Sequence, residues 1–334
     1  ILRLWAASAD YHADVRCSDA IFKQLAQNYL KFRNTARYCL GNLDGFDPNH
    51  LVAPNEMEPL DRWAITRLNG LIQKCFQGYD DFDFNVVTHA VNDFCVVDMS
   101  NFYLDIIKDR LYCEGKDSLL RRSAQTALYL ILDTMTKIMA PVLCFTGDEI
   151  WQAMPHPEGV DGRNVVFNDM NQPFTAYALD EAAMAQWETI IQVRDVVNGA
   201  LETARAEKKI GKSLEANIAL TVPAEDAFLA AMDAGALADL LIVSQVTVTV
   251  GEGIQAAVTN AAGDKCQRCW KVLPTPRRPS RISTVQGGRA NWPSRTAYPR
   301  AAPPMARSAV MHRTFRFHRS AATPARGLSR VMGR

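Results

Sequence analysis

The chain has 334 residues, of which 48% are hydrophobic, so it can bury a core the size of about two ordinary domains. Its net charge of +1 hides a strong asymmetry. Residues 272–334 contain thirteen Arg and no Lys, Asp or Glu, which leaves 24 cationic side chains against all 36 acidic ones in residues 1–271. The body therefore carries about −12 and the tail +13, and no apolar run approaches the 18 residues of a membrane span.

The cysteines argue against a disulfide framework, because six of the eight are scattered through apolar helical sequence. We expect these six to be small core side chains, as thiols are in a reducing cytosol. They are Cys17, Cys39, Cys75, Cys95, Cys113 and Cys144. The chain has no signal peptide, and it begins without Met on a helical pattern, so we expect a fragment of a cytoplasmic protein.

Apolar residues recur every three or four positions through most of the first 206 residues, which predicts amphipathic helices. Ser18 is a candidate N-cap for the first long helix, and Pro59 suits the first turn of the second. A third, continuous helix is expected at about 86–111 and a fourth at about 118–139, before Pro141. A short helical piece at 144–154 and a last helix at about 180–207 follow.

Beyond Lys212 the hydrophobic pattern changes to short β-branched and alternating runs, which predict strands. The candidate strands are residues 217–222, 243–250 and 254–261, and a helix is expected at 224–241. These elements predict a small α/β unit of roughly 50 residues after a mainly helical body.

Residues 28–37, NYLKFRNTAR, place Tyr29, Arg33 and Arg37 on one face of the first long helix, because they are spaced four residues apart. Asn34 lies next to them in sequence. Proteins bind single-stranded RNA loops by stacking splayed bases on aromatic rings or guanidinium groups and by hydrogen-bonding base edges. These residue types suit that task, although an ordinary solvated helix face has the same spacing.

Residues 204–216, ARAEKKIGKSLEA, gather four cations in an otherwise acidic body. Lys208, Lys209 and Lys212 are candidates for holding RNA phosphates through charge. The alternative is purely local: the cations complement the dipole at a helix C-terminus, and Gly211 supplies a left-handed cap.

Cys266 and Cys269 form a Cys-x-x-Cys pair, which supplies half of a tetrahedral zinc site. No further Cys follows, and His312 and His318 lie more than 40 residues downstream in Arg- and Pro-rich sequence. We therefore expect an incomplete site that holds no stoichiometric zinc. A redox pair is the alternative, but the βαβ context of a thioredoxin is absent.

The sequence lacks the usual patterns of a catalytic centre. It has no Gly-rich phosphate loop, no convincing carboxylate pair and no Ser/His/Asp arrangement. Four isolated histidines fit surface or core positions better than the role of a base: His12, His50, His89 and His156. We predict no catalytic residue in this chain.

Several segments resemble, in the same order, those of the bacterial isoleucyl-tRNA synthetase family. They are residues 2–11 (LRLWAASADY), 28–43 (NYLKFRNTARYCLGNL), 101–105 (NFYLD), 139–141 (MAP) with 148–151 (DEIW), 209–216 (KIGKSLEA) and 265–271 (KCQRCWK). The resemblance covers residues 1 to about 271. Valyl- and leucyl-tRNA synthetases share the helical bundle, but the terminal Cys pair favours the isoleucine enzyme.

The resemblance implies a mainly α fold: a helical anticodon-binding bundle followed by a small α/β appendage and a partial zinc-ribbon start. The composition of the last segment adds a disordered basic tail, which departs from the family. The implied boundaries are 1–18 for the end of the segment that follows the catalytic domain, 19–207 for the bundle, 208–262 for the α/β domain, 263–271 for the truncated zinc motif and 272–334 for the tail. The implied partner is tRNA(Ile). Its anticodon would be contacted by Arg33, Asn34 and Arg37, with weaker phosphate contacts from Lys208, Lys209 and Lys212.

The family's nucleotide-binding domain, with its HIGH and KMSKS motifs, and its editing domain are absent from this sequence. We therefore expect ATP and Mg to act only in that missing part, and this chain, a monomer, to be inactive alone. Zinc belongs to the family motif, of which only Cys266 and Cys269 are present. Two alternatives stay open: a stand-alone RNA-binding helical module, and a helical scaffold without an RNA role, which the acidic body mildly favours.

Residues 272–334 differ so sharply from the body that we expect an out-of-frame translation. Arg occurs there thirteen times and Lys never, eight of the 16 prolines lie there, and the change falls inside the zinc motif. Sequence with one sign of charge and frequent Pro cannot offset the entropy of ordering a core, so we expect disorder. A genuine basic RNA-binding arm is the alternative, although such arms usually mix Lys with Arg.

Overall fold

The computed structural model describes residues 1–267 and 269–274, and its fold is mainly helical, as predicted. The helices are α1 (Leu2–Ser8), α2 (Asp19–Asn42), α3 (Pro59–Asp80), α4 (Phe84–Asp93), α5 (Leu104–Ile106), α6 (Lys108–Cys113), α7 (Leu119–Met139), α8 (Cys144–Ala153), α9 (Glu181–Ala206), α10 (Phe228–Ala231) and α11 (Ala234–Leu241). A π-helical segment, Phe94–Tyr103, joins α4 to α5. No helix in the described ranges is long and apolar enough to cross a bilayer.

The predicted starts of three helices are confirmed, and each is set by local chemistry. Ser18 Oγ accepts a hydrogen bond from the Ile21 N–H at 3.3 Å, and Asp180 Oδ1 accepts one from the Ala183 N–H at 2.8 Å. Pro59 occupies the first turn of α3, where its missing N–H costs nothing. Side chains thus satisfy or remove the backbone donors that a helix start leaves unpaired.

Helix α7 forms the centre of the bundle, since every residue from 123 to 136 is buried. A buried polar network connects it to its neighbours. The Asp61 carboxylate on α3 accepts hydrogen bonds from Tyr103 at 2.7 Å and Ser123 at 2.5 Å, and Arg110 lies 3.6 Å away. Burial raises the pKa of Asp61 although these three partners oppose the shift. One carboxylate therefore joins α3, the π segment, α6 and α7.

The continuous third helix predicted for 86–111 is wrong in its middle. Helical structure extends from Phe84 to Cys113, but residues 94–103 adopt π winding and a break at Ile107 separates α5 from α6. The Ser100 hydroxyl donates to the Cys95 carbonyl at 2.7 Å within the π segment. A π turn holds more residues than an α turn, so it rotates later side chains around the helix axis, and hydrophobic spacing does not reveal it.

The expectation that six scattered cysteines are core residues is confirmed for three of them. Cys39, Cys75 and Cys95 are buried, whereas Cys113 and Cys144 are half-buried and Cys17 is exposed. Burial raises the pKa of Cys75 and Cys95 to about 12, so these thiols stay protonated. Cys17 differs because it lies in the connection between α1 and α2, outside any helix.

The α/β unit contains a three-stranded sheet in the order β2-β1-β3, formed by β1 (Ala216–Val222), β2 (Gln245–Val250) and β3 (Gln255–Asn260). β2 is parallel to β1 through the α10–α11 crossover, and β3 is antiparallel to it. Ile218, Leu220 and Val222 alternate along β1 and are fully buried. The single helix predicted at 224–241 is two short helices, because Met232 is extended between them.

The Cys-x-x-Cys segment lies between two short antiparallel strands, β4 (Asp264–Lys265) and β5 (Val272–Leu273). β5 occupies the first two residues of the segment predicted as the tail, 272–334. The remaining expectations for the tail, its disorder and its out-of-frame origin, fall on residues 275–334 and lie outside the described residues.

Candidate nucleic-acid interface

The predicted contact residues of α2 lie at the surface of the bundle with different exposure. Asn34 and Arg37 are exposed, and Arg33 is half-buried. Arg33 lies near Glu149 of α8: burial raises the pKa of the Glu149 carboxyl, and the Arg33 guanidinium opposes that shift. Asn34 and Arg37 are therefore the more accessible members of this face, and Arg33 is held beside a carboxylate.

Helix α8 adds an aromatic residue to this face that sequence reasoning missed. The Tyr29 hydroxyl hydrogen-bonds that of Thr146 at 3.1 Å, so Tyr29 is partly engaged by α8 rather than open to a base. Phe145 precedes Thr146, lies one turn before Glu149, and is 84% exposed. Its position, one turn from the Glu149 that lies near Arg33, depends on how α8 packs against α2, which no local sequence pattern reveals.

An open cavity of about 200 Å³ lies beside Asn34, between α2 and the end of the π segment. The Tyr38 hydroxyl donates to the Leu104 carbonyl at 3.2 Å, and Lys108 pairs with Asp105 at 2.5 Å along its wall. Amide, hydroxyl and ammonium groups of this kind hydrogen-bond base edges and phosphates. The cavity is lined mostly by polar residues: Asn34, Thr35, Tyr38, Ser100, Leu104, Asp105 and Lys108.

The cationic segment after α9 begins with Lys208 in a left-handed conformation, with φ of 59°. The Lys209 N–H donates to the Ala204 carbonyl at 2.9 Å, the long hydrogen bond of a Schellman cap. In the alternative interpretation Gly211 supplied the left-handed cap; that detail is wrong, because the chain reverses three residues earlier, at Lys208. Lys208 and Lys209 are exposed, and Lys209 pairs with Glu207 at 2.7 Å.

Lys212 and Trp270 are more than 50 residues apart in sequence, and the fold brings them together. Lys212 Nζ lies 4.7 Å from the centroid of the Trp270 ring, and Lys265 Nζ lies 5.6 Å from it. Trp270 nevertheless remains 51% exposed. We call these three residues the Lys–Trp cluster. An exposed aromatic ring flanked by cations can stack a base and attract its phosphate.

Glu215 contacts two members of the Lys–Trp cluster, Lys212 through its backbone and Lys265 through its side chain. Its carboxylate accepts hydrogen bonds from the backbone N–H groups of Gly211 and Lys212, both at 3.1 Å, and lies 3.6 Å from Lys265 Nζ. The two backbone hydrogen bonds are the main cause of the lowered pKa of Glu215. The carboxylate therefore stays charged and holds the Lys212 backbone close to the hairpin that carries Trp270.

Cys266 and Cys269 lie in the β4–β5 hairpin, where the Cys266 N–H donates to the Lys271 carbonyl at 2.8 Å. Burial raises the pKa of the Cys269 thiol, and the neighbouring Cys266 contributes to the increase. A structural zinc needs four ligands. No group of three or more His, Cys, Asp or Glu suited to a metal occurs within the described ranges, so these residues do not fit a closed zinc site. His312 and His318 lie outside those ranges.

The Lys–Trp cluster and the cavity beside Asn34 flank one helical stretch, α5 and α6. Asp105 lines the cavity. Asp109 follows about one turn later and lies near Cys269, since its carboxylate adds to burial in raising the pKa of that thiol. One helical turn advances only about 5.4 Å along the axis. Residues of this stretch therefore lie near both the cavity beside Asn34 and the hairpin that carries Trp270, although these groups are far apart in sequence.

Comparison with known proteins gives a match for the central part of the chain. A family model described as the anticodon-binding domain of tRNA ligase matches residues 61–220. That range contains Lys208, Lys209 and Lys212, whereas the α2 residues and Trp270 fall outside it.

Curated relatives match a larger part of the chain. Isoleucine–tRNA ligase from Syntrophotalea carbinolica is 44% identical over 283 residues, which cover 81% of this chain and 30% of the relative. The enzyme of the same name from Brevibacillus brevis is 45% identical over 289 residues, with coverages of 82% and 30%. That from Colwellia psychrerythraea is 41% identical over 295 residues, with coverages of 81% and 31%. The chain thus spans about 30% of the length of these relatives.

Proposed function

We infer that this chain, which is similar to isoleucine–tRNA ligases over about 80% of its length, belongs to that family, and we propose that it binds the anticodon stem-loop of tRNA(Ile). In this proposal Arg33, Asn34 and Arg37 contact anticodon bases from α2. Trp270 stacks an unpaired nucleotide, and Lys212 holds a neighbouring phosphate. The bundle keeps these groups in place for an RNA loop whose bases are already splayed out.

The observation that carries the proposal is the Lys–Trp cluster. Stacking one base on an aromatic side chain contributes about 1–3 kcal/mol, and it tolerates different bases. The flanking ammonium groups of Lys212 and Lys265 add attraction to the backbone, while the acidic body repels RNA elsewhere. Lys208 and Lys209 are exposed on the same segment and are proposed as weaker phosphate contacts.

We propose that the parent enzyme joins isoleucine to tRNA(Ile) in two steps through an aminoacyl-adenylate, with ATP and Mg acting outside this sequence. One methylene distinguishes isoleucine from valine and is worth only about 1–3 kcal/mol, so an editing step is needed as well. The residues of this chain hold the anticodon loop and thereby orient the acceptor end. We also propose that the protein is a cytoplasmic monomer.

A tRNA titration at two salt concentrations tests the proposal on the full chain. Affinity should fall as salt rises, because cations that bind phosphates release counterions. Arg33→Ala and Arg37→Ala should weaken binding to the cognate anticodon loop more than to a non-cognate one. Lys74→Ala removes an exposed charge from α3 and serves as the charge-matched control.

Variants of Trp270 and Lys212 test whether the Lys–Trp cluster contributes to tRNA affinity. Trp270→Ala should weaken binding about tenfold, at the low end of the range for losing one stacked base. Trp270→Phe keeps an aromatic ring and should retain most of the affinity. Lys212→Ala should lower the slope of log affinity against log salt by about 1. A chain that binds no tRNA at either salt concentration would leave the scaffold alternative as the better account.

We separately expect this chain to have no catalytic activity of its own. The purified chain should show no isoleucine-dependent exchange between ATP and pyrophosphate, because the residues that would bind ATP are not in its sequence. Reproducible exchange by a preparation free of host synthetase would contradict it.

A further inference from the structure

Arg194 on α9 is only 5% exposed, and its guanidinium contacts three parts of the protein. One amino group donates to the carbonyl of Leu240 in the last turn of α11. The other donates to Asp105 Oδ2 on α5 at 3.2 Å. The guanidinium also lies 5.6 Å from the centroid of the Phe102 ring. One side chain therefore joins the helical bundle to the α/β unit.

Burying a guanidinium costs desolvation free energy that an apolar side chain would not. Burial lowers the pKa of Arg194, and the Asp105 carboxylate opposes that shift. An apolar side chain of similar volume often stabilises a core at least as well as a buried ion pair. The planar guanidinium instead donates in fixed directions to two acceptors at once, so it sets their relative position. The Leu240 carbonyl is a suitable acceptor, because carbonyls in the last helical turn lack helical partners.

Through Asp105, Arg194 is connected to the face of α2 that carries Arg33, Asn34 and Arg37, which we call the α2 surface. Asp105 lines the cavity beside Asn34 and also pairs with Lys108 at 2.5 Å. Arg194 and Lys108 thus hold one carboxylate from two sides. The wall of the cavity is fixed by the same contact that reaches the α/β unit.

Through the Leu240 carbonyl of α11, Arg194 is connected to the Lys–Trp cluster. Asp239 of α11 forms an ion pair with Lys271, the residue after Trp270. Just beyond α11, Ser244 Oγ accepts from the Val272 N–H at 2.7 Å and donates to the Leu214 carbonyl at 2.6 Å. The end of α11 is therefore attached both to the hairpin that carries Trp270 and to the segment that carries Lys212.

We propose that Arg194 is a positioning residue for RNA binding: it fixes the Lys–Trp cluster relative to the α2 surface, so that one RNA loop contacts both at once. This inference rests on the proposed function. Two linked surfaces gain affinity for one ligand only when their spacing allows simultaneous contact. A fixed spacing also removes the entropic cost of ordering the two surfaces during binding.

The test measures how much Trp270 contributes to tRNA affinity with and without Arg194. The full chain is prepared as the native sequence, Arg194→Met, Trp270→Ala and the double variant. Arg194→Met keeps an unbranched apolar side chain but removes both donors. We expect Arg194→Met to weaken tRNA binding about tenfold. This loss is smaller than the affinity that two linked sites usually gain when they bind one ligand together. In that background Trp270→Ala should cost less than about twofold, against about tenfold in the native chain.

Two further variants separate positioning from general destabilisation. Arg205→Met removes a half-buried arginine of the same helix, which pairs with Glu202, and should leave the tenfold cost of Trp270→Ala unchanged. Arg194→Lys keeps the charge but cannot donate in both directions of the guanidinium, so its effect should be intermediate. If Arg194→Met fails to fold, Arg194→Lys decides the same comparison. A general loss of stability would lower the melting temperature without changing the cost of Trp270→Ala.

The outcomes that would overturn the inference are distinct from failure of the proposed function. If Trp270→Ala costs about tenfold in the Arg194→Met or Arg194→Lys chain as well, the positioning role is wrong and tRNA binding stands. If Trp270→Ala does not change tRNA affinity in the native chain, the Lys–Trp cluster is not part of the RNA-binding site and the positioning role of Arg194 is wrong. The proposed contacts from α2 are not affected by that result. If the native chain does not bind tRNA, the proposed function fails first.

Discussion

The helical bundle and the α/β unit bury their residues to very different extents. In α7 every residue from 123 to 136 is buried, including several polar ones, whereas β3 contains no fully buried residue. The sheet of the α/β unit is covered on one face, where Ile218 and Leu220 of β1 meet the surrounding helices. The bundle thus contains an extensive core, and the smaller unit has a thinner one on one face of its sheet.

This difference matches what each region contributes to the proposed interface. A helix packed against a thick core presents its side chains in a fixed geometry, which suits contacts with base edges. A small sheet opens more readily, since local stability follows the number of buried apolar contacts. The Lys–Trp cluster belongs to that smaller unit, so its position depends on connections such as the one through Arg194. The following predictions test how far the two regions differ.

The largest effect is expected inside the bundle, at Asp61. Asp61→Ala removes the acceptor of two buried hydroxyls and leaves Arg110 without its buried carboxylate neighbour. We expect the free energy of unfolding to fall by about 3–5 kcal/mol, as for other buried ion pairs that lose one partner. Urea denaturation monitored by circular dichroism measures this change.

The control for that measurement is Asp80→Ala, which removes an exposed carboxylate from the last turn of the same helix. It should change the free energy of unfolding by less than about 0.5 kcal/mol. Equal losses in the two variants would mean that the buried network does not carry the stability of the bundle.

A core deletion in the α/β unit should have a smaller and more local effect. Ile218→Ala removes a fully buried side chain from the central strand, and we expect a loss of about 2–4 kcal/mol. Hydrogen exchange should become faster in β1, β2 and β3 while α7 keeps its protection. Thr221→Ala, a partly exposed position in the same strand, is the matched control. Faster exchange throughout α7 would show that the two regions unfold as one unit.

Local chemistry explains how much of this fold could be predicted. Ser18, Pro59 and Asp180 act on neighbouring backbone, so their sequence context was sufficient to locate three helix starts. The short β-branched run of residues 217–222 likewise identified β1, whose alternate residues are buried.

The features that escaped prediction depend on contacts that are distant in sequence. The π segment ends at Tyr103, whose hydroxyl reaches Asp61 42 positions away. Lys212 meets Trp270 only because α11 and the β4–β5 hairpin pack side by side. The three α2 residues were predicted from their spacing, and their role as RNA contacts stays a prediction. Arg33 lies near Glu149 of α8, a contact that the spacing does not describe.

The aromatic residue on the bundle surface tests whether that region also binds RNA by stacking. Phe145 is 84% exposed, so Phe145→Ala should leave the free energy of unfolding within about 0.5 kcal/mol of the native value. If a base stacks on its ring beside Arg33, tRNA affinity should fall by about 1 kcal/mol, the lower end for one base. Phe145→Tyr retains the ring and is the control. Unchanged affinity in Phe145→Ala would confine stacking to the Lys–Trp cluster.

The smallest effect is expected at the junction of the two regions, where Lys208 adopts a left-handed conformation with φ of 59°. A residue with a side chain pays roughly 1–2 kcal/mol for that conformation, and glycine does not. Glycine also gains freedom in the unfolded chain, which offsets part of the benefit. Lys208→Gly should therefore raise the free energy of unfolding by about 0.5 kcal/mol. Lys209→Gly should lower it instead, because φ at Lys209 is not left-handed and only the entropic cost remains. If both variants are destabilised equally, the helix does not end at Lys208 in solution.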